Sequence, residues 1–180
     1  MGKFFYFILC GVIFSIVLNI LYFSKKHITT GETKVFSILL LVNLISLLNE
    51  LACSYIGYSF YENSLLSHVV TKTYLICLMT FLLYMTLYIY VICYVDNKNN
   101  NKKYYKKLKV ISYFIWFVCI LIVIILPITT GRGYAVGLAV NWLYICSTVV
   151  MTEWFIPFIK NFKYIDKRKI SPIILFVIFM

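Results

Sequence analysis

The stretch KVFSILLLVNLISLLNELACSYI, residues 34–56, decides the fold. A helix crosses the hydrocarbon core of a bilayer with roughly 20 consecutive, mostly apolar residues, and this run is long enough to do so. Lys34 and Glu50 are its only formally charged residues, while Asn43, Ser46 and Asn49 add polar groups to its interior. The stretch is therefore predicted to be a membrane-spanning helix that carries polar side chains within its apolar length.

Four further runs of this kind cover residues 4–24, 69–95, 110–128 and 135–159. A sixth begins at Ser171, which can cap a helix, followed by Pro172, which suits the first helical position. Only residues 172–180 follow, too few to cross a bilayer, so we expect the chain to be a piece of a longer protein. The sequence predicts an all-α fold, a polytopic transmembrane helix bundle with five full spans and an incomplete sixth. Residues 1–180 are expected to form one multi-span membrane domain.

The composition excludes an ordinary soluble domain. Soluble chains are about 45–50% apolar and about 25% charged. This chain is 63% hydrophobic and 13% charged, with a mean hydropathy of +0.92. Its six cysteines all lie in apolar runs and form no CxxC pair. They are interpreted as small buried hydrophobic residues rather than as a metal site or a disulfide framework.

Basic residues are concentrated in alternate connections between the spans. The first, third and fifth connections hold 14 of the 17 Lys and Arg, and the third reads DNKNNNKKYYKKLK. Because basic loops tend to stay in the cytoplasm, the pattern predicts a multi-pass plasma-membrane protein with its amino terminus outside and its lysine-rich loops inside. Attraction of these loops to anionic lipid explains the net charge of +11. The lipid bilayer is therefore the expected partner, and binding to nucleic acid is not expected.

Polar residues inside the spans recur at helical spacing, which places them on shared faces. Asn43, Ser46 and Glu50 share one face of the second span, and Asn49 lies beside Ser46. Polar groups within a membrane usually face the bundle interior and often mark a functional site. The candidate sensing or intramembrane polar residues are Glu50, Asn43, Ser46, Asn49, Lys72, Asn141 and Glu153.

The sequence leaves two interpretations of Glu50 open. It either pairs with Lys72 near the outer surface or takes part in sensing a ligand, an ion or a proton. For Glu153 the sequence favours a partner among the Lys and Arg residues that follow the fifth span. Trp154 is expected at the cytoplasmic interface, where tryptophan is enriched in membrane proteins.

Two further sets of residues at helical spacing predict how the first and fifth spans pack. In the first span Gly11, Ser15 and Asn19 recur every four residues, and small residues at that spacing let helices approach closely. In the fifth span a polar stripe is expected to face the bundle interior together with Glu153; it comprises Asn141, Tyr144, Thr148 and Thr152. The fourth span has almost no polar group within it and is predicted to be the most lipid-exposed helix.

No catalytic motif is present in the sequence. It contains no HExxH, no Walker loop and no Ser/His/Asp arrangement. We therefore predict no catalytic, cofactor-binding or metal site within residues 1–180.

The segment ETKVFSILLLVNLISLLNELA, residues 32–52, resembles the second span of amino-terminal sensor regions in sensor histidine kinases of low-GC Gram-positive, clostridia-like bacteria. The residues that carry the resemblance are Glu32, Thr33, Lys34, Phe36, Asn43 and Glu50. The third span, TYLICLMTFLLYMTLYIYVICY, and the basic segment KYIDKRKISPIILFVIF are also similar to that family. Nothing in the chain matches the family's kinase core.

The resemblance implies the signal-input region of a two-component sensor histidine kinase, which relays a stimulus to a cytoplasmic kinase core beyond Met180. ATP and Mg would be cofactors of that core, and none is implied for this segment. A homodimer and a response regulator are the implied protein partners. The alternatives that stay open are the input region of a GGDEF diguanylate cyclase, a small multi-span transporter and a purely structural membrane protein.

Overall fold

The computed structural model describes residues 3–25, 30–59, 65–95, 102–131 and 134–161. Five helices and one short hairpin form in these parts of the chain. They are α1 (Lys3–Ser24), α2 (Gly31–Ser59), α3 (Leu65–Tyr94), α4 (Lys102–Ile125), β1 (Thr129–Gly131), β2 (Tyr134–Val136) and α5 (Leu138–Asn161). All five helices are long and apolar enough to cross a membrane, as the sequence predicts. The incomplete sixth span, 172–180, lies outside the described residues.

The bundle is organised around α3. This helix packs against α2, α4 and α5, whereas α1 packs mainly against α2. Within the most apolar part of α3, 67% of the residues are buried, against 22% or fewer in every other described helix. Leu87, Ile89 and Ile92 are among its fully buried side chains. An amphipathic stripe does not mark this inner helix, because its sequence is apolar on all sides.

Contacts at two positions along a helix pair show that neighbours run in opposite directions, since the start of α3 meets the end of α4 at Lys72 and Ile124 and its end meets the start of α4. The hydroxyl of Tyr22, near the end of α1, donates to the carbonyl of Thr33 at the start of α2. The rings of Tyr94 and Tyr104 join the end of α3 to the start of α4, with their centroids 5.1 Å apart. One end of the bundle therefore carries most of the described lysines, among them Lys25, Lys34, Lys109 and Lys160. We call this the lysine-rich end.

The fourth helix begins earlier than predicted. It includes the lysine-rich segment 102–109, which the sequence analysis assigned to a loop. Lysine is a good helix former, and its long stem lies along apolar surface while its ammonium group stays in water. The helix ends at Ile125, two residues before Pro127, because the residue that precedes a proline disfavours helical backbone angles.

The exposed surface of α4 agrees with the prediction that this helix is the most lipid-exposed. Only 6% of its most apolar part is buried, the smallest share among the described helices. Phe114 and Ile125 are large apolar side chains on its exposed face. Such a surface is unfavourable in water and is favourable against lipid tails.

The second helix begins with a reciprocal capping arrangement between Thr30, which precedes it, and Thr33 in its first turn. The amide of Thr33 donates to Thr30 Oγ1 at 3.2 Å, and the amide of Thr30 donates to Thr33 Oγ1 at 2.9 Å. These bonds satisfy amides that the first helical turn leaves without partners.

The connection between α4 and α5 is a β-hairpin, which the all-α prediction does not contain. Its strands pair antiparallel, with Thr129 opposite Val136, and the Thr129 hydroxyl donates to the Val136 carbonyl at 3.0 Å. Gly137 then turns the chain into α5 with a φ of +131°, a value that residues with a side chain rarely adopt. A Cβ at this position would lie 3.0 Å from the carbonyl oxygen of Pro127.

Replacing Gly137 with Ala is expected to lower the free energy of unfolding by about 1–3 kcal/mol, because alanine is strained at this φ and its methyl group meets the Pro127 backbone. Thermal unfolding in detergent, followed by tryptophan fluorescence, measures the loss. Gly11→Ala is the matched control, since its Cβ would lie 3.7 Å from Leu47 Cδ2, an ordinary contact. Equal melting temperatures for the two variants would contradict the assigned role of Gly137.

Candidate functional site

Polar side chains close the interface between α1 and α2. Ser15 and Asn19 are buried on α1, and Ser46 is buried on α2. The amide of Asn19 donates to the Ser15 carbonyl at 2.8 Å and also reaches the Leu40 carbonyl of α2 at 3.4 Å. Asn43 donates from α2 to the Ser15 hydroxyl, also at 3.4 Å. The predicted stripe Gly11, Ser15 and Asn19 thus lies where α1 meets its neighbour.

A second polar group lies between α2 and α3. The amide of Asn49 donates to Cys77 Sγ at 3.4 Å, and the Cys53 thiol approaches the Val70 carbonyl at 3.5 Å. Glu50 is half-buried and lies close enough to Cys53 and Tyr74 to interact electrostatically with both. The polar residues of α2 are therefore divided between two neighbours, with Asn43 directed to α1 and Asn49 to α3.

Lys72 does not pair with Glu50 in the part of the chain that the structure describes. Its ammonium group donates to the carbonyl of Ile124, in the last turn of α4. The last four carbonyls of a helix have no partner within that helix, and the helix dipole makes this end negative. The interpretation of Glu50 as half of an ion pair with Lys72 is therefore wrong, because the C-terminal end of α4 takes the lysine.

The predicted polar stripe of α5 faces outward, which corrects its assignment to the bundle interior. Asn141, Tyr144, Thr148 and Thr152 are all exposed. Thr148 and Thr152 satisfy their hydroxyls on their own helix, through the carbonyls of Tyr144 and Thr148 at 2.8 and 2.7 Å. Because these threonines need no partner from another helix, their spacing does not require an inward orientation. Instead, Ala139, Leu143, Trp154 and Pro157 are buried.

Trp154 forms a buried polar link between α3 and α5. It is 4% exposed, and its indole N–H donates to Thr86 Oγ1 at 3.0 Å. Thr86 in turn donates to the Leu82 carbonyl at 2.8 Å. A tryptophan can be buried at low cost when its N–H has such a partner. The link fixes α5 against the central helix.

A cavity of about 60 Å³ lies between α3, α4 and α5. Its walls are mostly apolar, and the polar groups on them are Thr86, Ser112 and Glu153. Glu153 also lies close enough to Tyr90 to interact with it electrostatically. Of the basic residues that follow the fifth span and were expected as its partners, Lys160 lies in the last turn of α5, and those in 162–169 lie outside the described residues. Glu153 is itself exposed and borders the cavity, whose volume is well below that of a typical small-molecule site.

The residues that carry the family resemblance contact both neighbours of α2 near the lysine-rich end. The ring of Phe36 lies 5.2 Å from that of Tyr22 on α1 and 5.6 Å from that of Tyr88 on α3. The Tyr88 hydroxyl donates to a Glu32 carboxylate oxygen at 3.5 Å. These contacts give Glu32 and Phe36 a packing role that is independent of any family assignment.

Sequence reasoning missed two pairings that involve α5. Thr86 and Trp154 are 68 residues apart, and Cys119 and Cys146 are 27 residues apart with their sulfur atoms 3.8 Å from one another. No local pattern signals either pairing, because each depends on how two helices rotate about their axes. The cysteines also differ in environment, since Cys10 is exposed and Cys93 is buried. Among the described residues, no three His, Cys, Asp or Glu side chains are grouped as metal ligands.

Comparison with known proteins gives no match to a protein-family model, to a curated protein or to a solved structure.

Replacing Thr86 with Val should lower the free energy of unfolding by about 1–3 kcal/mol, because the buried Trp154 N–H loses its acceptor. The melting temperature in detergent measures the effect. Thr80→Val is the matched control on the same helix, since the Thr80 hydroxyl donates to the Ile76 carbonyl of its own helix. A melting temperature for Thr86→Val no lower than that of Thr80→Val would exclude the link as a stabilising contact.

Proposed function

We propose that this chain is the membrane-embedded signal-input region of a sensor histidine kinase. In this proposal it detects a stimulus within or beside the bilayer and passes a change in helix packing to a cytoplasmic kinase core beyond Met180. ATP and Mg belong to that core, and a response regulator receives the phosphoryl group. The family resemblance of residues 32–52 supports the kinase assignment, and the packing of α2 supports the sensing role.

The observation that carries the proposal is a difference in strength between the polar contacts of the bundle. Inside the bundle, α2 reaches its neighbours through the Asn19–Leu40 and Asn43–Ser15 contacts, both 3.4 Å long, and through two thiol groups. An amide hydrogen bond is strongest near 2.9 Å, and thiols are weak donors and acceptors. The α3–α5 link between Trp154 and Thr86, at 3.0 Å, is close to that optimum. Near the lysine-rich end α2 is held by the 3.1 Å bond from Tyr22 to Thr33, whereas its described contacts deeper in the bundle are longer or involve sulfur.

Such a helix suits a two-state relay. A stimulus shifts an equilibrium between two packings only by the difference between its affinities for them. The side-chain oxygen of Asn19, Oδ1, is buried without a hydrogen-bond partner, so the described packing leaves one polar group of the α1–α2 interface unsatisfied. A small sliding or rotation of α2 that satisfied this oxygen would be compensated by the loss of other contacts. The two packings would then be similar in free energy.

We further propose that the chain forms a homodimer, and the exposed polar stripe of α5 supports this. Asn141 and Tyr144 lie on a surface that would otherwise face lipid. Polar side chains at helix interfaces in membranes hydrogen-bond to neighbouring helices, so a second copy of the chain is the partner we propose for this face.

The coding sequence downstream of Met180 distinguishes the proposed function from its alternatives. A segment with a phosphoacceptor histidine and ATP-binding boxes would support the kinase, and transfer of phosphate from labelled ATP to the full-length protein in membranes would then confirm it. A GGDEF motif would favour the cyclase instead. Further spans without a soluble domain would favour a transporter, and either of these outcomes would overturn the kinase assignment.

Replacing Glu50 with Gln should change the stimulus-independent output of the full-length protein about fivefold or more in either direction. The substitution removes a charge from the α2–α3 interface, and a difference of about 1 kcal/mol between two packings suffices for that change. Phosphorylation in membranes, normalised to the amount of inserted protein, measures the output. Ser37→Ala is the control, since its hydroxyl donates to the Lys34 carbonyl of its own helix. Normal insertion with unchanged output would contradict a sensing role for Glu50.

The proposed orientation places the lysine-rich end in the cytoplasm. A single thiol introduced as Asn100→Cys should then resist an impermeant maleimide in intact cells and react after permeabilisation, whereas Arg132→Cys should react in both. The unsubstituted chain supplies the background, because its six cysteines all lie within the described helices. Labelling of Asn100→Cys in intact cells would reverse the orientation.

A further inference from the structure

We infer that Cys119 and Cys146 form an intramembrane dithiol that is oxidised to a disulfide by a lipid-soluble quinone. Cys119 lies on α4 and Cys146 on α5, and their sulfur atoms are 3.8 Å apart. Both thiols are free and half-buried, and both line the cavity between α3, α4 and α5. The inference concerns a modification site and does not depend on the proposed signalling function.

The two sulfur atoms lie close to the separation that a disulfide bond requires. A disulfide needs a sulfur–sulfur distance of about 2.05 Å, so the two atoms must approach by a little under 2 Å. Side-chain rotation and a small displacement of the helices supply this movement. The helices are suited to it, because α4 and α5 each contact α3 more extensively than they contact one another. The cavity beside the thiols also leaves room for the side chains to rotate.

The depth of the pair determines the class of oxidant. Cys119 follows the last lysine of α4, Lys109, by ten residues, which is about 15 Å along a helix. Half of the hydrocarbon core is also about 15 Å thick. Cys146 lies eight residues after Leu138, the first residue of α5, so it too is well inside the apolar part of its helix. A charged, water-soluble oxidant does not reach this depth, whereas a quinone dissolves there.

The reaction balances as a two-electron transfer. One thiol adds to a ring carbon of the quinone, and its proton passes to a quinone oxygen. The sulfur of the second thiol then attacks the first sulfur, so that the sulfur–sulfur bond forms and the carbon–sulfur bond breaks. The electron pair of the broken bond leaves with the ring, which takes the second proton. Two thiols and one quinone thus become one disulfide and one quinol.

The bond would join two helices that are otherwise held together mainly through α3. It would cross the wall of the cavity at the end away from Thr86, Ser112 and Glu153, because Cys119 and Cys146 lie nearer the hairpin along their helices. The oxidised form therefore restricts the separation of α4 and α5, and the reduced form permits it. The redox state of the membrane quinones would in this way determine how far α4 and α5 can separate around the cavity.

The test counts free thiols in the full chain within its membranes. Reduced membranes are treated with decylubiquinone, unreacted thiols are coupled to a maleimide polymer under denaturing conditions, and the additions are counted by gel shift. The unsubstituted chain should lose two additions after quinone treatment. Cys119→Ala and Cys146→Ala should each lose none, while Cys10→Ala, which removes an exposed cysteine of α1, should still lose two. Glutathione disulfide, which does not enter the bilayer, should leave all three variants and the parent chain unchanged.

Mass spectrometry of the quinone-treated parent chain provides a readout that needs no substitution. A disulfide-linked peptide pair that contains residues 119 and 146 is the expected product. Retention of all six thiols after quinone treatment would overturn the inference, and so would a disulfide that joins any other two cysteines. Oxidation by glutathione disulfide alone would also overturn it, because the pair would then be reached from water.

Discussion

The burial of α3 between α2, α4 and α5 is the interaction on which the rest of the bundle depends. In lipid the backbone of each helix satisfies its own hydrogen bonds, and apolar side chains gain little by leaving lipid tails for one another. Association must therefore come from close packing and from a few side-chain hydrogen bonds. The central helix supplies both, through its fully buried residues around Ile89 and through the hydroxyl of Thr86. The other helices are placed by how they meet it.

The polar side chains of the bundle fall into two physical classes. Those of the first class satisfy their own helix, as Thr148 and Thr152 do, and they specify nothing about neighbouring helices. Those of the second class connect different helices, as Trp154, Lys72 and Asn43 do. Only the second class constrains the fold, and its strength varies around the bundle. The contacts of α5 and α4 with α3 include well-formed bonds, whereas the interior contacts of α2 are longer or involve sulfur.

Much of this architecture follows from the sequence, because hydrophobic length is a strong signal. The five predicted spans agree with the helices within a few residues at most of their ends, and the low polarity of the fourth span correctly indicates its exposure. The larger error, at the start of α4, arises because lysine and tyrosine lie at a membrane interface equally well in a helix or in a loop. The three-residue strands of the hairpin are too short to show an alternating pattern.

The facing of individual side chains is much less predictable, for a physical reason. Spacing shows which residues share a face but not which face turns inward, and a helix that is apolar all round has no polar side to decide its rotation. The stripe Gly11, Ser15 and Asn19 is predicted correctly because small residues favour close helix contact. The orientation of the stripe from Asn141 to Thr152 is predicted wrongly, because a threonine hydroxyl can donate its hydrogen bond to a carbonyl of its own helix. Lys72 could have neutralised Glu50 by charge alone, and only the three-dimensional position of the α4 terminus directs it elsewhere.

The hairpin between α4 and α5 limits how these two helices can part. Because it connects them at one end, any separation of the two helices would be a rotation about the hairpin. The displacement would then increase with distance from the hairpin along each helix. The cysteines lie nearer the hairpin and would separate less, whereas Ser112 and Glu153 lie further from it along their helices and would separate more. A small change in the angle between α4 and α5 at the hairpin would therefore produce a larger displacement at Glu153.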